Sequence, residues 1–296
     1  MDNVDYIPAK TIVTKTKSSS WFGVDYNMNI YRGCSHGCIY CDSRSDCYKI
    51  ADFDKVRVKE NALPIIRDEL RRKVKTGVVG TGAMSDPYNP LERELMLTRN
   101  ALELINAFNF GAAVTTKSAL ITRDTDILKD ISTHSPVIVK VTITTADDDL
   151  CKKLEPNVSN ASERFAALSE LAGRGIYCGI MMMPLLPMIN DTEENILNIL
   201  QGAKEAGAKF VYPALGMTLR QGNREYYYEQ LDDMFPQLKE RYVKRYGNRY
   251  NCTSSNLKKL WATFAAECER LGLLYEMKAI ISRYKAGYEG QQLKLF

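Results

Sequence analysis

The sequence predicts an α/β fold built around a parallel sheet, with a helical extension at its C-terminal end. Six short apolar segments, several rich in Val, Ile and Thr, recur along residues 26–215, and β-branched residues suit strands. Longer segments of helical character separate them, and strands alternating with helices form βαβ units whose strands run parallel. Past residue 215 the alternation gives way to two long helical stretches, the first dense in Tyr, Lys, Arg and Glu.

Residues 1–25 are polar and read as a leader or an edge segment. Strands are expected over 27–31, 77–82, 110–116, 137–144, 176–183 and 209–213, and helices over 62–74, 95–108, 123–132, 160–174 and 191–206. Asn160 followed three residues later by Glu163 forms a capping-box signature. Gly173 and Gly175 fall where a helix stops and a strand resumes. Acids at Asp191, Glu193 and Glu194 suit a first helical turn, with Asn190 and Asp191 as its cap. An extension over 216–288 holds helices at 223–246 and 254–271, and residues 289–296 form a tail. Six strands fall short of the eight of a closed barrel, so pattern alone leaves an open sheet and a partial barrel as alternatives.

Composition excludes little but is useful. The 296 residues carry a formal charge of +4, which permits a nucleic-acid partner without arguing for one. No apolar run is long enough to span a membrane. The N-terminus lacks a basic region followed by an apolar run, so a cytoplasmic location is expected. No Gly-x-Gly-x-x-Gly follows the first strand, which argues against a dinucleotide fold. The two histidines, His36 and His134, form no Ser-His-Asp set.

Eight cysteines in a non-secreted chain are not expected to be a disulfide framework. Cys47, Cys151, Cys178, Cys252 and Cys268 read as small buried apolar residues. Cys34, Cys38 and Cys41 differ: they form C-x3-C-x2-C on a loop just after the first strand, where α/β folds place their chemistry. Three clustered thiolates need a metal to offset their repulsion. Zinc wants a fourth ligand, which Cys47 or His36 could supply. An iron–sulfur cluster with only three cysteines keeps one iron open for an outside ligand. Gly33 and Gly37 let the loop wrap closely.

This spacing, with the aromatic Tyr40 before the last cysteine, resembles the signature of the radical S-adenosylmethionine (SAM) superfamily. The resemblance implies a partial (β/α)6 barrel, a [4Fe–4S] cluster on Cys34, Cys38 and Cys41, and SAM as cofactor. It also implies a reducing electron donor, and a seat for the SAM adenine beside Tyr40. Further blocks occur in order over about residues 25–215: Asn29 with Tyr31-Arg32-Gly33-Cys34-Ser35-His36-Gly37-Cys38, then Ser85-Asp86-Pro87-Tyr88-Asn89-Pro90-Leu91-Glu92, Leu97-Thr98-Arg99, Thr116-Lys117-Ser118, Arg123-Asp124, Leu154-Glu155-Pro156 and Pro187-Met188-Ile189-Asn190-Asp191. Together they resemble the spore photoproduct lyase-related branch. By that resemblance Ser85 and Asp86 meet the SAM amine, the alternative being a turn or helix cap before Pro87, and Lys117 meets its carboxylate, the alternative being a solvated strand end. The hydroxyls of Thr144, with Thr142 and Thr145, at the end of the fourth strand could bond its ribose, although Thr is also a strand former. Glu155 binds substrate or braces the mouth of the fold, and His36 braces the cluster loop. Arg164 reads as helix surface and Met181-Met182-Met183 as core.

Two departures stand out. The branch's hydrogen-donating cysteine precedes the Ser-Asp pair, whereas this chain has Gly82-Ala83-Met84 there. Its aromatic-Ala-Arg after the last cysteine is Asp42-Ser43-Arg44 here. Both point away from repair of spore photoproduct itself, with Cys151 or Cys178 as substitute donors only if the fold brings one close. The expected activity is reductive SAM cleavage to a 5′-deoxyadenosyl radical acting on a nucleic-acid base or lesion. The alternatives are a radical SAM enzyme acting on a peptide or small molecule, and a zinc-stabilised nucleic-acid-binding protein. Tyrosines and basic residues between Arg224 and Tyr246 could stack on bases, although an amphipathic helix capping one end of the fold explains them as well. The tail Gln292-Leu293-Lys294-Leu295-Phe296 resembles the peptide by which bacterial repair and replication proteins dock into the sliding clamp. Gln292, Leu293, Leu295 and Phe296 would be its anchors.

Overall fold

The structure is a computed structural model in which residues 4–288 are described; the tail anchors at Gln292, Leu293, Leu295 and Phe296 lie outside them. Seven strands form the main sheet: β1 (Val13–Lys15), β2 (Tyr26–Met28), β3 (Val78–Thr81), β4 (Gly111–Thr116), β5 (Val137–Thr142), β6 (Cys178–Met182) and β7 (Val211–Pro213). They lie side by side in chain order. β1 runs antiparallel to β2, and every later neighbour is parallel. The polar N-terminal segment is therefore in part an edge strand.

The longer helices between the parallel strands are α1 (Ala62–Arg71), α2 (Leu97–Ala107), α3 (Thr125–Ser132), α4 (Ala161–Gly173) and α5 (Glu193–Glu205). Their apolar faces, including Ile66, Leu102, Leu128, Leu168 and Ile199, pack on one side of the sheet against Val79, Val114, Val139 and Ile180. Each such side chain, fully buried, contributes about 1.5–3 kcal/mol. Strand residues of opposite parity, Val78, Ala113, Ile138 and Met181, face a second apolar cluster with Phe22, Phe210, Ile280 and Tyr284. Both faces are thus covered, which is why the central strands read as nearly continuous apolar runs.

Asn160 caps α4 through the expected box, accepting from the Glu163 amide at 2.9 Å while Glu163 accepts from the Asn160 amide at 2.8 Å. Thr192, not Asn190 or Asp191, caps α5. Asn190 instead ties two loops together, donating to the Thr144 carbonyl at 2.9 Å and accepting from the Leu186 amide.

The extension contains α6 (Asn223–Met234), α7 (Leu238–Tyr246), α8 (Leu257–Leu271) and α9 (Met277–Lys285). The expected single helix over 223–246 is broken at 235–237, where Pro236 removes a backbone donor and disfavours helical geometry in Phe235 before it. Gln237 turns the chain with φ +70°. Tyr227 and Tyr242 are fully buried and their hydroxyls meet at 3.0 Å, while Tyr242 donates to the Pro187 carbonyl. These rings are packing, not a stacking platform for bases, and they rest against Cys38, Ile39 and Tyr40. At the other end of the sheet α9 is pinned by Tyr284 and Lys285, which donate to the Phe22 and Gly23 carbonyls at 2.7 Å. Among the described residues no helix is long and apolar enough to cross a membrane.

Candidate active site

The thiol-bearing loop follows β2 and the short strand Tyr31–Arg32. Gly33 enters it at φ +82°, where an added Cβ would lie 2.5 Å from the Lys55 carbonyl oxygen, so no other residue fits there. The loop is tied down on two sides. Cys34 donates its amide to the Phe53 carbonyl at 2.8 Å, and Ile39 donates to Leu154 at 3.0 Å. The Asn157 amide donates to the His36 carbonyl at 3.1 Å, and the Asn157 side chain donates to Ser35.

Cys34 and Cys38 are buried, Cys41 is half-buried, and all three are free thiols. Burial pushes each thiol up, Cys34 to about 11, with Asp86 adding to it. Ligation therefore has to displace protons as it forms metal–sulfur bonds. Among the described residues no three His, Cys, Asp or Glu side chains converge as a single ion demands; a cubane, whose cysteines each take a different iron, does not demand it. The fourth ligand needed for zinc is also poorly placed. Cys47 is exposed, with its sulfur 3.5 Å from the Arg220 guanidinium, and His36 points its Nδ1 at Asp86, 3.6 Å away. Three free thiols on one rigid loop fit the three-cysteine cluster better.

Ser85 and Asp86 lie directly behind this loop. Ser85 donates to the Gly33 carbonyl. Asp86 accepts from the Thr116 hydroxyl at 2.7 Å, the Lys117 amide at 2.8 Å and the Tyr88 amide at 2.9 Å. The pair therefore latches the loop to the ends of β3 and β4, which sequence reasoning did not foresee. Thr144 is buried, with its carbonyl held by Asn190 and Asn195.

Tyr40 donates its hydroxyl to Glu155, which pairs with Arg164. Arg164 is not helix surface: it is 1% exposed and reaches from α4 to the Thr142 carbonyl at 2.9 Å and the Ser159 carbonyl at 2.8 Å. Lys117 stands 5.7 Å from the Tyr40 ring centre. Burial pulls its pKa down, but Cys38 and Glu155 outweigh this and leave it raised and cationic.

Tyr40, Cys41 and Lys117 line a cleft of about 530 Å³ together with Met183, Leu215 and Met217. Ser85, Asp86 and Thr144 are not among its lining residues. A second cavity of about 620 Å³ lies under the inner face of the sheet, and Ala83 and Met183 line both. Neither substitute donor reaches either space. Cys178 faces the helix layer with its sulfur 3.7 Å from the Leu168 carbonyl, and Cys151 lies 3.9 Å from Glu155.

Gly82 lines the second cavity, next to Ala83 on the seam. Its φ is +92°, and an added Cβ would lie 2.0 Å from the Thr115 carbonyl oxygen. Gly82→Ala is expected to cost about 1–3 kcal/mol through strain and overpacking, read as a lower urea midpoint, with SAM binding weakened as β3 and β4 part.

One residue of the second cavity escaped the sequence reading. Lys140 sits in the middle of the strand Val137–Thr142, with valines on both sides. A lone cation inside a buried apolar strand was the available signal.

Residues 28–201 match the family model described as the radical SAM superfamily. The chain belongs to the radical SAM superfamily, whose enzymes use a [4Fe–4S] cluster and SAM. It is 30% identical over 244 residues to Uncharacterized protein Rv2578c of Mycobacterium tuberculosis, covering 80% of this chain and 72% of that one. It is 34% identical over 191 residues to Uncharacterized protein MJ0683 of Methanocaldococcus jannaschii, covering 63% and 69%. Among solved structures the fold is similar to spore photoproduct lyase complexed with dinucleoside spore photoproduct, with a TM-score of 0.66, 16% identity and coverage of 90% and 80%. It is also similar to the radical SAM methyltransferase TsrM from Kitasatospora setae with tryptophan substrate and a SAM analogue bound, with a TM-score of 0.54, 12% identity and coverage of 83% and 51%.

Proposed function

We propose that this radical SAM enzyme holds its cluster on Cys34, Cys38 and Cys41 and acts on a nucleic-acid base or lesion in the neighbouring cavity. The observation that carries the reading is the sharing of one cleft by Tyr40, Cys41 and Lys117, a cleft that meets the cavity beyond at Ala83 and Met183. When bound, the cluster would pass one electron from an external reductant to the SAM sulfonium, breaking its C5′–S bond to give methionine and a 5′-deoxyadenosyl radical. Lys117 supplies a cation for the SAM carboxylate. The Tyr40 ring, fixed by Glu155, shapes the adenine side of the cleft. Ser85 and Asp86 act by latching the cluster loop to the ends of β3 and β4, both Asp86 oxygens being taken by Thr116, Tyr88 and Lys117, and not by touching the SAM amine. The sequential strand order, with β1 and β7 at opposite ends of the sheet and not paired to each other among the described residues, supports a sheet wrapped as a partial (β/α)6 barrel with the cavity inside.

Lys15, Lys17 and Lys75 line a further pocket beside that cavity, which shares Thr16, Lys17 and Ser18 with it. Such cations suit phosphates, and the likeness to a lyase that binds a dinucleoside lesion points the same way. Ala83 stands on the seam of the two cavities, in the segment where the branch's donor cysteine belongs, so the product differs from that of spore photoproduct repair. Docking of the tail on a sliding clamp would bring the enzyme to DNA in the cytoplasm.

The test is 5′-deoxyadenosine production by anaerobically reconstituted, dithionite-reduced protein. Ultraviolet-irradiated and intact single-stranded DNA would be compared with peptides and amino acids. A severalfold stimulation by DNA alone is expected. Stimulation confined to a peptide or amino acid would replace the nucleic-acid reading.

A further inference from the structure

Lys140 is 3% exposed, and its ammonium lies 4.8 Å from the centre of the Phe22 ring. Among the described residues it has no carboxylate partner and no hydrogen bond, although it lines the cavity under the sheet. The strand geometry aims it there. Ile138, Lys140 and Thr142 alternate with Val137, Val139 and Val141, which pack under the helices. A buried, unpaired amine is costly, and burial pushes this one down to about 7. Replacing it with an apolar side chain would relieve that cost, so its presence calls for a ligand.

The rest of the lining fits the same conclusion. Asn27, Thr81, Thr115, Thr142 and Ser18 offer hydrogen bonds, and among the described residues the lining contains no Asp or Glu. Apolar walls come from Ala113, Met181 and Val24. A cation among hydroxyls at the floor of a cavity recognises anionic oxygen strongly.

We propose that Lys140 anchors an anionic oxygen group of the substrate, a phosphate or a carboxylate, at the base of the cavity beside the SAM cleft. The inference rests on that cavity being the substrate side of the proposed site, and it narrows the substrate to one carrying such a group.

The test is calorimetric titration of the full-length reconstituted protein with four probes: thymidine 5′-monophosphate, thymidine, inorganic phosphate and succinate. Wild type is compared with Lys140→Met. The nucleotide is expected to bind more tightly than the nucleoside, and Lys140→Met is expected to remove about tenfold or more of its affinity, the worth of one charge-assisted hydrogen bond. Lys140→Met should also melt no lower than wild type, because it removes an unpaired buried amine. If that variant does not fold, Lys140→Gln carries the same comparison. Lys140-dependent binding of phosphate or succinate without the nucleotide would support the anchor while sinking the nucleic-acid reading. Undiminished nucleotide binding in the variant, or no anion binding by wild type, would overturn the proposal.

Discussion

A variant with Cys34, Cys38 and Cys41 all changed to alanine is expected to take up no cluster and to release no 5′-deoxyadenosine above background. The geometry makes the effect this large because the loop offers no replacement. Cys47 is exposed beside Arg220, and Cys151 and Cys178 are packed elsewhere. The fold should survive, since the loop is held by backbone hydrogen bonds to Phe53, Leu154 and Asn157 and not by its sulfurs. Iron and sulfide content, SAM cleavage and circular dichroism separate the outcomes. A variant that still binds iron and sulfide stoichiometrically would move the cluster off this loop. Zinc uptake by wild type with no SAM cleavage would restore the binding-protein alternative.

Much of this was readable from the residues because the signals were local. The β-branched runs placed β3 to β7, and Asn160 with Glu163 marked the start of α4. The cysteine spacing placed the loop, since ligand spacing is a property of a short segment. What escaped was set by distant contacts. The strand Asp5–Ile7 pairs with Arg57–Lys59, whose sequences carry no mark of one another. Ser85 and Asp86 were noticed, yet their bonds to Gly33, Thr116 and Lys117 depend on how three loops converge. Arg164 looked like surface because a single arginine on an otherwise ordinary helix carries no periodic signal. Its burial follows from Glu155 arriving on the facing loop. Lys140 was legible in principle, since a cation flanked by valines in a strand breaks the local rule, and such breaks cluster at functional sites.

Arg164→Ala is expected to destabilise the protein by about 3–5 kcal/mol, the cost of leaving a buried carboxylate unpaired. That corresponds to a melting temperature lower by roughly 10 °C. The side chain is the hub of three elements: it joins α4 to the end of β5 at Thr142, to Ser159, and to Glu155. Glu155 in turn orients Tyr40 on the SAM cleft. SAM affinity should therefore fall along with stability, although Arg164 does not line the cleft. The pair also sets a pH dependence. Burial raises the Glu155 carboxyl, but Arg164 and Lys117 outweigh it and hold its pKa below the ordinary value. A depressed carboxyl contributes stability that is full above about pH 4.3 and is lost as pH falls through the folded value. Wild type should lose stability on acidification below that point more steeply than Glu155→Gln does. A double variant, Arg164→Met with Glu155→Leu, should recover part of the stability lost by Arg164→Ala, because no charge is then stranded, while SAM affinity stays low for want of the Tyr40 contact. If Arg164→Ala instead costs under about 1 kcal/mol, Lys117 has taken over as counter-ion to Glu155. Its cation would then be drawn from the cleft, and SAM affinity would fall without the loss of fold.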